Sequence, residues 1–330
     1  MRIIALIFLL IGMHSASADP KKMQVGLDHV FILDKFRLFY SLEGDDALSD
    51  ENKGDFNANH IPDFVESVAK QLKSAADFYT QVLALDHPLM TKRYKGNADF
   101  IDVHFLTIRH NGTAGDELIS ISYPRLNIKR NNVLVIKISN SLKQGNLTPA
   151  HELFHLFQNG YAMFKNRWYT EGTARWVEFA FKKGTGDVEP LPASSSELNA
   201  LLKEDYQAKT FWNSLALLCD QNAGVFLLTN QDRQEKDFFP SPFQDTTLYG
   251  ITFVKTFLQN LERLSLAASA SRNFPPYHWP EQDQRNLADN NDYIFCAIRG
   301  AIQETCPTQQ LHGTEMVAFL SLLKNMAYCQ

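Results

Sequence analysis

Residues 148–160 read Thr-Pro-Ala-His-Glu-Leu-Phe-His-Leu-Phe-Gln-Asn-Gly, and both ends of this stretch carry the signals of a helix boundary. Thr148 can accept hydrogen bonds from the free amides of the first turn, and Pro149 suits the first helical position, where no donor is needed. Gly160 can adopt the left-handed conformation that ends a helix. The sequence therefore predicts one helix bounded by Thr148 and Gly160.

Two histidines, His151 and His155, lie four residues apart in this helix. At 3.6 residues per turn, both imidazoles lie on one face, one turn apart. Zinc binds neutral imidazole nitrogens at about 2.0–2.1 Å, and two ligands from one helix leave positions for a third side chain and a water. Glu152 lies beside His151, where its carboxylate can reach that water as a general base. The pattern His-Glu-x-x-His therefore predicts a zinc site.

A third ligand is needed to support this site, because the pattern occurs by chance in roughly one per cent of chains of this length. Residues 168–178 read Trp-Tyr-Thr-Glu-Gly-Thr-Ala-Arg-Trp-Val-Glu and predict a second helix that ends at Gly184. The linker of residues 161–167 is long enough for the second helix to pack antiparallel to the first. Glu171 is then the expected third ligand, and Gly172 permits close approach of the helices.

These residues resemble the signature of the gluzincin zinc metallopeptidases, the clan of thermolysin and membrane alanyl aminopeptidase. In that signature, His-Glu-x-x-His is followed by a Glu on the next helix. The matching residues are His151, Glu152, His155 and Glu171. The resemblance implies a zincin-like α+β fold, with a twisted mixed sheet and active-site helices in the N-terminal lobe and a mainly helical C-terminal lobe. It also implies that a zinc ion takes part in hydrolysis of a peptide or protein substrate.

The chain looks still more like a group of secreted bacterial proteins assigned as metalloproteases. These pair a zinc helix ending in Gln with a Trp-x-x-Glu-Gly-x-Ala helix, and carry Asp-x-Asn-x-Asn-Gly-Ile-Pro-Asp-x-x-Glu near the N-terminus. This chain has the first two motifs at residues 151–158 and 168–174, and the third at residues 55–66, with His60 in place of Gly. The resemblance covers roughly residues 25–260 and does not extend to the C-terminal residues.

The resemblance implies a mechanism in which zinc lowers the pKa of a bound water toward 7. Glu152 takes the proton as this water attacks the peptide carbonyl, and then delivers it to the leaving amine. Gluzincins commonly place a Tyr or His from the C-terminal lobe opposite the zinc, where it donates to the developing oxyanion. Tyr249 is the first candidate for this role, ahead of His278, Tyr161 and Tyr169.

A further acid, Glu178, lies two turns beyond Glu171 on the same face of the second helix. Zinc-bound histidines commonly donate their other ring N–H to a carboxylate. Glu178 is therefore expected to orient a histidine of the site, and an internal salt bridge with Arg175 is the alternative.

The first eighteen residues have the three parts of a signal peptide: a charged start, an apolar run at residues 3–13, and a small-x-small exit at Ala16 and Ala18. The apolar run is too short for a permanent membrane span. We therefore expect cleavage after Ala18 and a secreted or periplasmic protein without a stable membrane anchor. A buried N-terminal helix is the alternative.

The 330-residue chain has a formal net charge of −5 and 45% hydrophobic residues. This composition predicts a globular protein without an electrostatic footprint for nucleic acid. The Gly/Pro/Ser-rich segment 184–196 is the expected boundary between lobes. The N-terminal lobe then spans residues 19–183, and the mainly helical C-terminal lobe spans residues 184–330.

All four cysteines lie in the C-terminal third, and none has Cys-x-x-Cys spacing; they are Cys219, Cys296, Cys306 and Cys329. In an exported protein they are expected to form up to two disulfides rather than a zinc site. The sequence leaves the connectivity open, although Cys296 with Cys306 is the shorter loop and leaves Cys219 with Cys329.

Segments rich in β-forming residues precede the zinc helix. The sequence predicts strands at residues 30–33, 36–41, 100–108, 118–123 and 132–139, the last with the continuous apolar run of a central strand. In gluzincins an edge strand of this sheet binds the substrate backbone by strand addition, and residues 118–123 are the candidate by position. Ordinary sheet membership is the alternative.

Residues 54–66 read Gly-Asp-Phe-Asn-Ala-Asn-His-Ile-Pro-Asp-Phe-Val-Glu and precede a predicted helix. Oxygen-bearing side chains stand at loop positions 1, 3, 5, 9 and 12, with a backbone carbonyl at position 7, which is calcium-loop spacing. His60 stands where such loops usually have Gly and would need a positive φ. The alternative is that these side chains form Asx turns and cap the helix. The predicted calcium ligands are Asp55, Asn57, Asn59, Ile61, Asp63 and Glu66.

Two functions of other classes stay open from the sequence. The first is a catalytically inactive zincin-like binding protein, although Glu152 argues against it because a structural zinc site needs no base. The second is a calcium-dependent surface or adhesion module in which residues 55–66 are the functional element.

Overall fold

The computed structural model describes residues 21–182, 186–220, 223–226, 246–324, 326 and 328–329. The expected signal peptide lies outside these residues. The sequence predicts that the second helix runs up to Gly184, but this is wrong: the α-helix ends at Val177, and a 3₁₀ turn at Glu178–Phe181 leads to extended backbone at Lys182. The described chain is α+β, with a mixed sheet in its N-terminal part and helices in most of the remainder. Among the described helices, none is long and apolar enough to cross a membrane.

A mixed sheet precedes the first histidine of the motif. Its described strands are β1 (Lys21–Gln24), β2 (His29–Leu33), β3 (Phe36–Tyr40), β4 (Ile101–Leu106), β5 (Gly112–Ala114), β6 (Ile119–Tyr123) and β7 (Ile128–Ser139). They lie in the order β1-β6-β7-β4-β3-β2, and β5 pairs with β7 beyond the end of β6. The sequence predicts β2, β3, β4, β6 and β7, and it misses β1 and β5.

The described helices are α1 (Asp63–Asp77), α2 (Thr148–Tyr161), α3 (Arg167–Val177), α4 (Ser195–Leu201), α5 (Lys209–Leu218), α6 (Ile251–Ser271), α7 (Glu281–Asn286), α8 (Asn290–Thr305), α9 (Thr308–Leu311) and α10 (Thr314–Leu323). Short 3₁₀ turns follow α3 at Glu178–Phe181 and precede α5 at Tyr206–Ala208. A two-stranded sheet of β8 (Gly224–Phe226) and β9 (Thr246–Leu248) precedes α6.

The main apolar core is continuous from the sheet to the C-terminal helices. It includes Phe36 of β3, Phe154 of α2, Trp212 of α5 and Phe319 of α10, all fully buried. A smaller core around Tyr123 covers the other face of the sheet. Helices and sheet therefore bury their apolar faces against one another, and the expected boundary at residues 184–196 between lobes stays a prediction.

Helix α2 lies where the sequence predicts it, but the reasons for its two ends are different. Thr148 is the first helical residue and its hydroxyl donates to Asn146 Oδ1 at 2.8 Å, so it does not cap the helix. Instead, the free amide of Ala150 donates to Gln71 Oε1 of α1 at 3.1 Å. A side chain distant in the sequence therefore caps α2.

The expected helix terminator, Gly160, lies inside α2, which continues to Tyr161. Its φ is not positive, so the left-handed end expected there is wrong. A Cβ on Gly160 would lie 2.7 Å from Thr91 Cγ2, well inside van der Waals contact. The residue is thus small because α2 packs tightly against the segment that carries Thr91.

Two disulfides are present, Cys219–Cys306 and Cys296–Cys329. The shorter loop, Cys296 with Cys306, is not the one formed. Cys296 lies within α8 and Cys306 follows its last residue, so about ten helical residues separate their Cα atoms by about 15 Å, more than the about 7 Å that a disulfide can span. Two disulfides fit an extracellular protein.

Substitution of Gly160 tests whether Thr91 alone forbids a side chain at this position. We expect Gly160→Ala to lower the free energy of unfolding by about 1–3 kcal/mol through overpacking. The double variant Gly160→Ala, Thr91→Ala removes the clashing atoms and should recover most of this loss, as measured by urea denaturation relative to Thr91→Ala. Equal losses in both backgrounds would show that a backbone constraint, and not Thr91, requires the glycine.

Candidate metal centre

Helices α2 and α3 bring three potential metal ligands to one point. The Nε2 atoms of His151 and His155 lie 3.1 Å apart, and Glu171 Oε2 lies 3.2 Å from the first and 3.5 Å from the second. The three side chains are buried or half-buried and belong to adjacent helices. The expected third ligand therefore lies beside the two histidines.

The separations of these atoms match the requirements of a shared metal ion. In a tetrahedral zinc site with bonds of about 2.0–2.1 Å, neighbouring ligand atoms lie about 3.3 Å apart. The three measured separations, 3.1, 3.2 and 3.5 Å, bracket this value. All three atoms can present lone pairs to the same point when the imidazoles are neutral. The group could therefore hold a metal ion.

Hydrogen bonds on the far side of each imidazole fix its orientation. His151 Nδ1 lies 3.0 Å from Glu178 Oε1, and His155 Nδ1 lies 2.7 Å from Gln158 Oε1. Gln158 is itself held by donation from its Nε2 to the Thr170 carbonyl at 2.8 Å. With each Nδ1 occupied as a donor, both Nε2 atoms are left free to bind metal.

Glu178 makes both contacts that the sequence leaves as alternatives. Besides His151, its carboxylate pairs with Arg175 at 2.9 Å and with Lys182 at 2.7 Å. Because the two cations and the imidazole share one buried carboxylate, Glu178 stays ionised: burial favours the neutral acid, but these partners lower its pKa to about 2. The orienting role of Gln158 was not expected from the sequence.

The ionisable side chains of the site shift one another's pKa. Burial lowers the pKa of His151, yet its hydrogen bonds with Glu171 and Glu178 outweigh burial and raise that pKa to about 9. Burial raises the pKa of Glu171, but His151 and His155 bring it well below its usual range. Burial is the main cause that raises the pKa of Glu152. A cluster this rich in carboxylates favours a bound cation.

A cavity of about 320 Å³ opens beside the site and is lined by Glu152 and by two of the three ligands, His155 and Glu171. Glu152 accepts a hydrogen bond from the backbone of Ala114 in β5. A Cβ on Gly112 would lie 3.0 Å from Glu152 Cγ, so β5 packs directly on the side chain. The carboxylate of Glu152 therefore shares the cavity with the ligands without being one of the three.

The strand that borders this cavity is β5 and not the expected one at residues 118–123. That segment forms β6, which pairs with β1 on one side and β7 on the other, so both of its edges are already hydrogen-bonded to strands. Residues of β5 pair with β7 alone among the described strands, and Gly112, Thr113 and Ala114 line the cavity. Its position in the sequence suggests β6 as the edge strand. The short polar strand β1, which the sequence does not predict, pairs with β6 and takes the edge instead.

Tyr206 is a residue of the site that the sequence does not suggest. It lines the cavity over the ligands, and its ring centroid lies 6.0 Å from that of His151. Burial and the charge of Glu171 raise its pKa, so the phenol keeps its proton and remains a hydrogen-bond donor. His110 also lines the cavity. Neither residue belongs to a recognisable motif, because packing of distant segments brings them here.

The expected oxyanion donor Tyr249 lies between β9 and α6, and it is not among the residues that line the cavity. Its neighbour Gly250 packs on Ala216 of α5. The role of Tyr249 stays a prediction, as does that of His278. The weaker candidates are engaged in the core: Tyr161 accepts from the Asp86 amide at 2.9 Å, and Tyr169 is fully buried.

Four of the predicted calcium ligands lie in the loop before α1, and the other two, Asp63 and Glu66, lie in its first turn. His60 has a φ of 69°, as its position in the pattern requires. The loop also contains the expected Asx turns, in which Asn57 Oδ1 accepts from the Asn59 amide and Asn59 Oδ1 from the Ile61 amide, at 3.1 and 2.9 Å. Turn formation and calcium binding are compatible, so both interpretations persist for this loop.

Comparisons of the chain with protein-family models, with curated proteins and with solved structures find no match. The resemblance to gluzincins therefore rests on the motif residues of the sequence and stays a prediction. The histidines, Glu171 and Glu152 are the residues on which any functional proposal depends.

Removal of the Gln158 acceptor tests how this site holds metal. We expect Gln158→Met to weaken binding of Zn²⁺ by about 10–100-fold, because the His155 ring loses the partner that fixes its tautomer and rotation. Competition with a chelating dye measures the dissociation constant, and Gln207→Met, on an exposed glutamine, is the matched control. An unchanged constant for Gln158→Met would mean that the Gln158–His155 contact plays no part in metal binding.

Proposed function

We propose that this protein is a zinc-dependent peptidase with a zincin-like catalytic lobe, in which His151, His155 and Glu171 hold the metal and Glu152 is the general base. The single observation that carries this proposal is the triangle of ligand atoms at tetrahedral spacing in a cavity that also contains the Glu152 carboxylate. A structural metal site would have no use for such a base and would close with a fourth protein ligand.

Zinc is the metal that this ligand set favours. Two imidazoles and one carboxylate, with a fourth position open to the cavity, form a common ligand set of catalytic zinc sites. Calcium and magnesium prefer sites built from oxygen ligands alone. The fixed tautomers of the two histidines, set by Glu178 and Gln158, further suit a metal that binds imidazole nitrogen.

A bound zinc ion would polarise the substrate carbonyl and acidify a water molecule. The protein supplies the proton transfers: Glu152 accepts the proton of the attacking water and then donates it to the leaving amine. Burial raises the pKa of Glu152, which brings its proton affinity closer to that required for both steps. The backbone amide of Ala114 donates a hydrogen bond to the Glu152 carboxylate and holds it in place between the two proton transfers.

The edge of β5 away from β7 pairs with no described strand, which supports an extended peptide as the substrate. Strand addition satisfies the backbone hydrogen bonds of an extended chain and places its carbonyls beside the sheet. Because Thr113 and Ala114 lie next to Glu152 in the cavity wall, a peptide paired with β5 would pass over the ligands. Tyr206, which also lines the cavity, is the proposed donor to the oxyanion that would form there.

Exchange of Glu152 separates catalysis from metal binding. We expect Glu152→Gln to retain one zinc ion per chain and to lose casein hydrolysis by about 10²–10⁴-fold, because the amide cannot accept the proton of the water. Glu51→Gln, at an exposed glutamate, is the matched control and should keep full activity. A zinc-loaded wild type without peptidase activity would instead support the binding-protein alternative.

A second pair of variants decides between the two candidate oxyanion donors. We expect Tyr206→Phe to lower kcat by about 10²-fold with little change in KM, because a donor of this kind acts mainly in the transition state. Tyr249→Phe should leave kcat within a factor of about two on the same argument. The opposite result would restore Tyr249 to the role that the resemblance implies and remove Tyr206 from it.

A further inference from the structure

The loop of residues 55–66 contains two buried carboxylates that the proposed peptidase site does not use. Asp63 is 6% exposed and Glu66 is 8% exposed. Neither forms an ion pair within the part of the chain that the structure describes, in contrast with the buried acid Asp102, which pairs with Arg37 at 2.7 Å. Burial of unpaired carboxylates is unfavourable, so a bound cation would stabilise the loop.

One carboxylate oxygen here has no hydrogen-bond partner among the described groups. Asp63 Oδ1 is shielded from solvent and accepts no hydrogen bond from any described group, while Oδ2 of the same carboxylate accepts from the Phe56 amide at 3.0 Å. The Phe56 bond places the carboxylate inside the loop. A buried carboxylate oxygen without a donor is rare in folded proteins and marks a place where an ion or a water is expected.

The oxygens of Glu66 face the same loop. Among the described groups, they accept from the side-chain amides of Asn57 and Asn59 alone, each at 3.1 Å. Two neutral amides are weak compensation for a buried charge, whereas a cation at this point would contact the glutamate directly. The Oδ1 atom of each amide already accepts one backbone N–H in an Asx turn, and its second lone pair can bind the cation without loss of that turn.

The backbone of the loop is already folded in a compact turn. Asp55 accepts from the amides of Asn59 and His60, at 3.2 and 2.8 Å. The turn at His60 has a positive φ, which is costly for a residue with a side chain. Since these hydrogen bonds form without a cation, binding would need adjustment of side chains and little rearrangement of the backbone.

We propose that residues 55–66 bind one calcium ion. Every available donor is an oxygen, and the number of donors suits the six to eight ligands of calcium better than the strict octahedron of magnesium. Three carboxylates and two amides predict the weak affinity of extracellular calcium modules, with Kd of about 10⁻⁴–10⁻³ M. The proposed ligands are the side chains of Asp55, Asn57, Asn59, Asp63 and Glu66 and the carbonyl of Ile61.

The site is connected to the zinc helix through α1, which starts at Asp63. Gln71 of α1 accepts from the Ala150 amide and donates to the Asn146 carbonyl, at 3.1 and 3.0 Å. Tyr79, just after α1, donates to the Ala150 carbonyl at 3.1 Å. Calcium would therefore stabilise the start of the helix that caps α2, and its expected effect is on stability, whether or not the chain hydrolyses peptides.

Thermal unfolding of the full mature chain in the Glu152→Gln background, with CaCl₂ as the probe, tests this proposal without dependence on peptidase activity. At ten times the Kd we expect Tm to rise by about 2–4 °C. Equal MgCl₂ should have much less effect. Glu66→Gln should abolish the calcium response, and Asp55→Asn, at a half-buried ligand, should weaken it. Lys53→Gln, a neighbour outside the ligand set, should keep the response.

Three results would overturn the calcium site: no shift of Tm with CaCl₂, an equal shift with MgCl₂, or an undiminished shift in both ligand variants. Isothermal titration with CaCl₂ on the same samples should return one site per chain. Loss of this response would leave the proposed peptidase function untouched, since zinc content and casein hydrolysis are measured separately.

Discussion

The Glu171 carboxylate beside two imidazoles is the interaction on which the rest of the site depends. Its Oε2 lies 3.2 Å from His151 Nε2, in surroundings where burial alone would favour the neutral acid. The imidazoles reverse this tendency, and the coupled charges of Glu171 and Glu178 in turn favour a proton on His151. A metal ion in the triangle would replace that proton and satisfy all three ligands at once.

The placement of Glu171 beside the histidines depends on close packing at Gly172, which has no side chain. A Cβ on Gly172, the residue after Glu171, would lie 2.7 Å from Trp212 Cδ1 and 2.9 Å from Ala208 Cβ. The glycine therefore serves the approach of α5 and its preceding turn to α3, and not the approach of α2. The same turn contains Tyr206, so the contact that fixes α3 also positions the phenol over His151.

Sequence reasoning succeeds here where a feature is local. The spacing of His151 and His155 and the order of motif residues predict the three side chains that lie together and could hold a metal ion, and β-rich segments predict most of the sheet. It fails where contacts between distant segments decide: Gln71 caps α2, Tyr206 enters the cavity, and β1 and β5 are too short and polar to show a pattern. The cysteine pairing also depends on distance in space. Cys296 and Cys306 are the closest cysteines in the sequence, but helix α8 holds them too far apart for a disulfide.

The central claim is that one metal ion lies between His151, His155 and Glu171. A crystal of the zinc-loaded protein, with diffraction recorded on both sides of the zinc absorption edge, tests it most directly. We predict one anomalous peak at about 2.0–2.2 Å from both Nε2 atoms and from a Glu171 oxygen, with a water in the fourth position. A peak held by other residues, or a fully loaded crystal without a peak at this triangle, would contradict the account.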